Sequence, residues 1–131
     1  MIINCFVLGD QVVMTPMFMG SEPSKVTTGK FAGTRAYDGE VQGALKLGQS
    51  LDKAQRSKAI LGTDLLPDVF TSAYRDNFEM KFEGIKFGDL SSSQQALTLD
   101  LAQTYIGRMR PEYAEVKMEE VKKHLKDTHL A

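Results

Sequence analysis

Two runs near the start of the chain, Ile2–Leu8 and Gln11–Met19, are rich in Val, Ile, Phe and Met and carry no charged residue. Between them lies Gly9-Asp10, a two-residue Gly-X connection that suits a type II′ turn, in which the first residue needs φ > 0. This pattern predicts a β-hairpin. Apolar side chains fill both alternating sets of positions, so the hairpin is expected to be buried on both faces or flanked by further strands. Pro16 has no N–H to give to a ladder, which predicts a bulge or a sheet edge there. A lone two-stranded hairpin is marginal in water, so this one needs partners.

From Gly20 to Asp38 the pattern gives way to Ser, Pro, Thr, Gly and Lys, which reads as a long loop. Helical spacing then begins, with Val41, Ala44, Leu45 and Gly48 assigned to one face of a helix over Gly39–Gln49. The turn at Ser50-Leu51-Asp52 restarts a helix over Lys53–Leu61, and Gly62 suits a left-handed residue just past its end. The stretch TDLLPDVFTSAYRDNFEMKFEGIKFGD reads as mostly irregular, broken by Pro67, Gly84 and Gly88, with FEMKF alternating like one short strand. Ser91 and Gln94 form an S-x-x-Q capping box. It opens a helix over Ser92–Ile106 in which Leu97, Leu101 and Tyr105 recur at i, i+4 and i+8. Pro111 suits the first turn of a last helix, Pro111–Lys126, whose stripe is Ala114, Met118, Val121 and Leu125. The last two helices are expected to form an antiparallel pair. The whole predicts an α+β fold: an N-terminal β-hairpin packed against about four α-helices, with long loops between them and an incomplete sheet.

Composition narrows the setting. The chain is 42% apolar and 25% charged, as in an ordinary soluble globular domain. Sixteen basic residues nearly cancel seventeen acidic ones, which gives no electrostatic case for a nucleic-acid or membrane partner. No apolar stretch approaches the roughly 20 residues that span a bilayer. With no signal-like N-terminus, a cytoplasmic protein is expected. Cys5 is the single cysteine, and its place among Ile3, Phe6 and Val7 predicts a buried thiol acting as a small hydrophobe.

The chemistry-bearing residues form no constellation. Gly29-Lys30-Phe31-Ala32-Gly33-Thr34-Arg35 has its glycines in the wrong order for a phosphate-binding P-loop. Its backbone could still gather N–H groups around an anion, with Lys30 and Arg35 adding charge; the simpler reading is a connecting loop with solvated cations. Glu120 and His124 are four apart and share a helix face, but two ligands do not make a metal site, and a solvated face is the expectation. Ser91-Ser92-Ser93 is a helix start, and no G-x-S-x-G elbow exists. No metal site is assigned, and no cofactor is indicated.

Five segments read together resemble a known family. They are NCFVLGDQVVMTPMFMGSEP, GKFAGTR, SLDKAQRSKAIL, LDLAQTYIGRMRPEYAEVKMEEVKKHL and DTHLA. In this order and spacing they resemble the middle of the uncharacterised family called domain of unknown function 3500. The resemblance implies a G-H-H segment before the first strand and an aromatic H-F-A-W segment after the last helix. His129 would then stand at the histidine of H-F-A-W with Leu130 in place of its aromatic. Tyr113 stands where members often have His. On this resemblance the chain is expected to be a single domain or a central fragment of a larger one. It implies no established activity.

Two functional expectations follow. The first is a non-catalytic binding or structural piece of a larger domain, joined through its hairpin either to a second copy or to flanking segments. The alternative is the scaffold portion of a metal-assisted hydrolase whose main site residues lie outside this chain. Lys30, Arg35 and His129 are the candidate binding residues.

Overall fold

The protein is described by a computed structural model for residues 2–13, 17–64 and 79–131. The first strand run divides into β1 (Ile2–Ile3) and β2 (Phe6–Leu8), and the second into β3 (Gln11–Val13) and β4 (Met17–Phe18). β2 pairs antiparallel with β3 and β1 with β4, which is the expected hairpin. Gly9 has φ 62° and Asp10 is not left-handed, as a type II′ turn requires and a type I′ turn forbids. The two ladders differ in register: Phe6 faces Val13, whereas Ile3 faces Met17. Pro16, where a bulge or edge is expected, lies outside the described residues.

Among the described residues four helices follow: α1 (Asp38–Ser50), α2 (Lys53–Ala59), α3 (Ser92–Ile106) and α4 (Pro111–Lys123). A short strand β5 (Ile85–Lys86) pairs antiparallel with β6 (His129–Leu130), and each borders a 3₁₀ turn. The fold is therefore α+β, with three two-stranded ladders among the described residues. The strand-like alternation of FEMKF does not become a strand in its described part; pairing begins at Ile85 instead. Gly84 explains the position. Its φ of 92° turns the chain into the ladder, and a Cβ there would lie 2.2 Å from the Leu130 carbonyl oxygen. Only glycine lets the two backbones approach so closely.

The core lies where α2, β5 and the following 3₁₀ turn meet. Leu51, Ala59, Ile85, Phe87 and Leu90 are buried, and Leu99, Leu125 and Leu130 pack against them. The stripe of α4 behaves as its spacing requires: Ala114 and Met118 are buried, Val121 and Leu125 half-buried. Two expected details are overturned. The face of α1 turned inward is not Val41, Ala44, Leu45 and Gly48; Val41 and Leu45 are exposed, and the buried positions are Glu40 and Leu47. The cause is contact with α3. Gly43 lies against Leu101 and Gly39 against Thr104, so the two small residues let the helices close and rotate α1 about its axis. Gly62 is also not left-handed, because α2 ends earlier, with Ile60 already extended.

Two capping boxes lock the helix starts together. Asp52 accepts from the Gln55 amide at 2.8 Å and Ser91 from the Gln94 amide at 3.4 Å, while each glutamine returns the bond to its own cap residue. The two glutamine side chains then pair head to tail at 2.8 and 3.0 Å. Gln94 Nε2 also donates to the Ser50 carbonyl at 2.8 Å, closing the end of α1. Gln94 is buried and fully satisfied in this network, so Gln94→Ala would leave the Ser50 oxygen, the Ser91 N–H and the Gln55 amide without it. Ser50 and Ser91 are exposed and Gln55 is half-buried, so water takes up part of the loss and each of these bonds is worth about 0.5–1.5 kcal/mol net. We expect a loss of about 3 kcal/mol in urea denaturation, against little change for the exposed Gln42→Ala. Equal effects would show that the paired amides carry no stability.

Candidate functional site

The hairpin carries the largest departure from an ordinary protein surface. Phe6, Val7 and Leu8 are each more than 60% exposed, and Val13 is 46% exposed. Alternation places Phe6, Leu8 and Val13 on one face and Val7 and Val12 on the other, so neither side is polar. Among the described residues no third strand pairs with β2 or β3, leaving both outer edges open. Cys5 is exposed, not buried. The reason is the same for all these side chains: no layer of the described chain covers the outer part of the hairpin. Among the described residues its foot borders the helices, where Phe18 and Met19 share a cleft with α1.

At that foot lies a cleft of about 520 Å³, lined by Phe18, Met19, Tyr37, Glu40, Val41, Ala44 and Tyr105. Glu40 stands in the first turn of α1, where the helix dipole favours a carboxylate. Its Oε1 accepts from Arg108 Nη2, an ion pair joining α1 to the chain just beyond α3. The Arg108 guanidinium also sits over the Tyr37 ring, 5.5 Å from its centroid. Tyr37 precedes α1 in a left-handed conformation, φ 55°, with no side-chain cap. Burial is inverted here: the acid is 6% exposed, while Phe18, Val41 and Tyr105 around it are 40–51% exposed. Sequence reasoning missed this group. Its only local signal is an acid in a helix first turn, and its counter-ion lies 68 residues away.

The residues expected to bind ligands fall in three separate settings. Lys25 and Arg35 face each other in an isolated antiparallel bridge that closes the GKFAGTR loop. Within it the amides of Ala32, Gly33 and Thr34 donate to the carbonyls of Gly29, Val26 and Phe31 at 2.8–3.1 Å. Those amides are committed to the turn and do not converge on an anion. Lys30 lies over the ring of its neighbour Phe31, at 5.7 Å. His129 is half-buried in β6, its ring 5.5 Å from that of Phe82 and its Nδ1 3.1 Å from the Asp127 carbonyl oxygen.

Glu120 accepts a 2.6 Å hydrogen bond from Lys117, which holds its carboxyl below the usual range; Lys122 does the same to Glu119. His124 is the residue that ends α4, with φ −104°. Among the described residues no three His, Cys, Asp or Glu gather as a metal site would need. We expect Zn²⁺ and Ni²⁺ to leave the melting temperature of the purified protein unchanged. A rise that disappears in His124→Ala would contradict this and bring the metal-assisted hydrolase reading forward.

No helix among the described residues is long and apolar enough to cross a membrane. No match was found among curated proteins, and none among solved structures. One family model, described as "Protein of unknown function (DUF3500)", matches residues 1–131. The match spans the whole chain, and the protein belongs to the DUF3500 family.

Proposed function

We propose that the chain is a non-catalytic binding or structural module that joins a second copy of itself through the hairpin. The observation that carries this reading is the exposure of Phe6, Val7 and Leu8 on a ladder with two open edges. Strand edges without charge, proline or cover are templates for pairing, and contiguous apolar patches mark interfaces. A second copy suits the surface because no charged side chain lies on either strand run, so a two-fold axis brings no like charges together. An antiparallel β2–β2 pairing about that axis sets Val7 against its own equivalent and Phe6 against Leu8. A cytoplasmic setting belongs to the same reading, supported by the exposed lone thiol of Cys5, which a reducing compartment keeps free. Sedimentation velocity over a wide concentration range, with reductant present, tests the proposal. A rising sedimentation coefficient supports it, and a monomer at every concentration refutes it.

A further inference from the structure

Arg108 engages Glu40 Oε1 and the Tyr37 ring, and that pairing makes no use of Glu40 Oε2 or of the Phe18 and Tyr105 rings in the cleft at the foot of the hairpin. Three aromatic rings, from Phe18, Tyr37 and Tyr105, and the aliphatic side chains of Val41 and Ala44 surround one buried acid. Among the described residues Glu40 makes one hydrogen bond, its Oε1 accepting from Arg108. Among the described residues no buried side-chain oxygen or nitrogen lacks a partner, so Oε2 must retain access to open space. The cleft that Glu40 lines is that space, and Arg108 is not one of its lining residues. A ligand entering the cleft therefore meets aromatic faces, whose quadrupoles attract cations, and then a carboxylate oxygen with unused acceptor capacity. The cleft volume lies within the range of small-molecule sites, roughly 300–1,000 Å³.

We propose that this cleft binds an organic cation, an ammonium group carried on an apolar body. An anion would meet the Glu40 carboxylate oxygen, because the Arg108 guanidinium that balances its charge does not line the cleft. A wholly apolar ligand would leave the carboxylate desolvated and without a new donor, at a cost. An alkylated ammonium satisfies both parts of the site: its carbon surface lies against Phe18, Tyr105 and Val41, and its charge is shared between the rings and Oε2. The same group is offered by a free small amine or by an alkylated lysine side chain.

The test is an NMR titration of the full chain at a concentration where sedimentation shows one species. Three probes are compared: choline, its neutral isostere 3,3-dimethylbutan-1-ol, and a short peptide carrying trimethyl-lysine. The expected result is saturable shifts of the Phe18, Tyr37 and Tyr105 ring signals with choline or the peptide, the tighter of the two naming the source. The neutral alcohol should bind at least about tenfold more weakly, a difference of about 1.4 kcal/mol. Tyr105→Ala, which removes a 40% exposed ring, should abolish the cation's saturable shifts while leaving the remaining spectrum folded. Glu40→Gln should erase the preference for cation over alcohol. If that variant does not fold, the comparison of choline with the alcohol and the Tyr105 variant still decides. Equal binding of choline and alcohol overturns the proposal, as does the absence of saturable shifts with both cations. Shifts confined to Phe6, Val7 and Leu8 would report the hairpin interface instead and would equally refute a site at Glu40.

Discussion

On the proposed hairpin pairing, Val7→Lys is expected to leave the chain monomeric. Val7 is the central residue of β2, 61% exposed and directly opposite Val12. In an antiparallel β2–β2 pairing about a two-fold axis it faces its own equivalent, so each association would bring two ammonium groups together. Like charges directly opposite are destabilising, and a lysine is the device with which natural edge strands refuse pairing. The substitution removes no buried contact, so the isolated fold should change by less than about 0.5 kcal/mol. The measurement is sedimentation velocity at matched concentrations of the parent chain, Val7→Lys and Val116→Lys. Val116 is exposed to a similar degree, 62%, but lies on α4, so its variant should associate like the parent. Equal association of all three would move the interface away from the hairpin.

Gly84→Ala is expected to be the most damaging single-methyl substitution in the chain. The φ of 92° at this position is one that L side chains rarely adopt, and the new Cβ would lie 2.2 Å from the Leu130 oxygen and 2.7 Å from its carbonyl carbon. The obstacle is backbone, which cannot turn aside as a flexible side chain would. Relief requires β5 and β6 to part. Ile85, 1% exposed, is held in the core by that ladder, and Phe87 N–H donates across to the Thr128 carbonyl at 2.9 Å. A left-handed conformation costs roughly 1–2 kcal/mol for a residue with a Cβ. Loosening Ile85 adds about 1.5–3 kcal/mol. We therefore expect a loss of about 3–5 kcal/mol in urea denaturation. Gly88→Ala is the control: its Cβ would meet nothing within 4 Å and its φ is not positive, so about 0.5 kcal/mol or less is expected. If Gly84→Ala cost no more than Gly88→Ala, the β5–β6 ladder would not be what holds Ile85 in place.

The two variants probe opposite extremes of packing. Val7 lies where the described chain stops covering its own apolar surface, and Gly84 where it closes most tightly. A change in association without a change in stability is expected from the first, and the reverse from the second. The Glu40 cleft lies between these regimes, an acid buried by a helix contact and overlaid by apolar groups that the same contact left outside.

Local signals in the sequence were sufficient for most of the elements. The Gly9-Asp10 turn, the Ser91/Gln94 capping box, Pro111 at a helix start and the Ala114–Met118 stripe act within a few residues, and each produces its element where the pattern places it. The α+β class follows from them. So does the need for the hairpin to find cover, since two uncharged strands with apolar residues on both faces cannot be at rest in water alone. What only the tertiary structure decided are relations between distant segments. α1 offers more than one candidate stripe, and the choice fell to Gly39 and Gly43, which admit α3 and thereby bury Glu40 while exposing Val41 and Leu45. The Glu40–Arg108 ion pair and the β5–β6 ladder each join residues more than forty positions apart. Periodicity reports how a segment can divide between inside and outside. It carries no term for which neighbour arrives, and the neighbour's shape set the face of α1 and the place of the last strand.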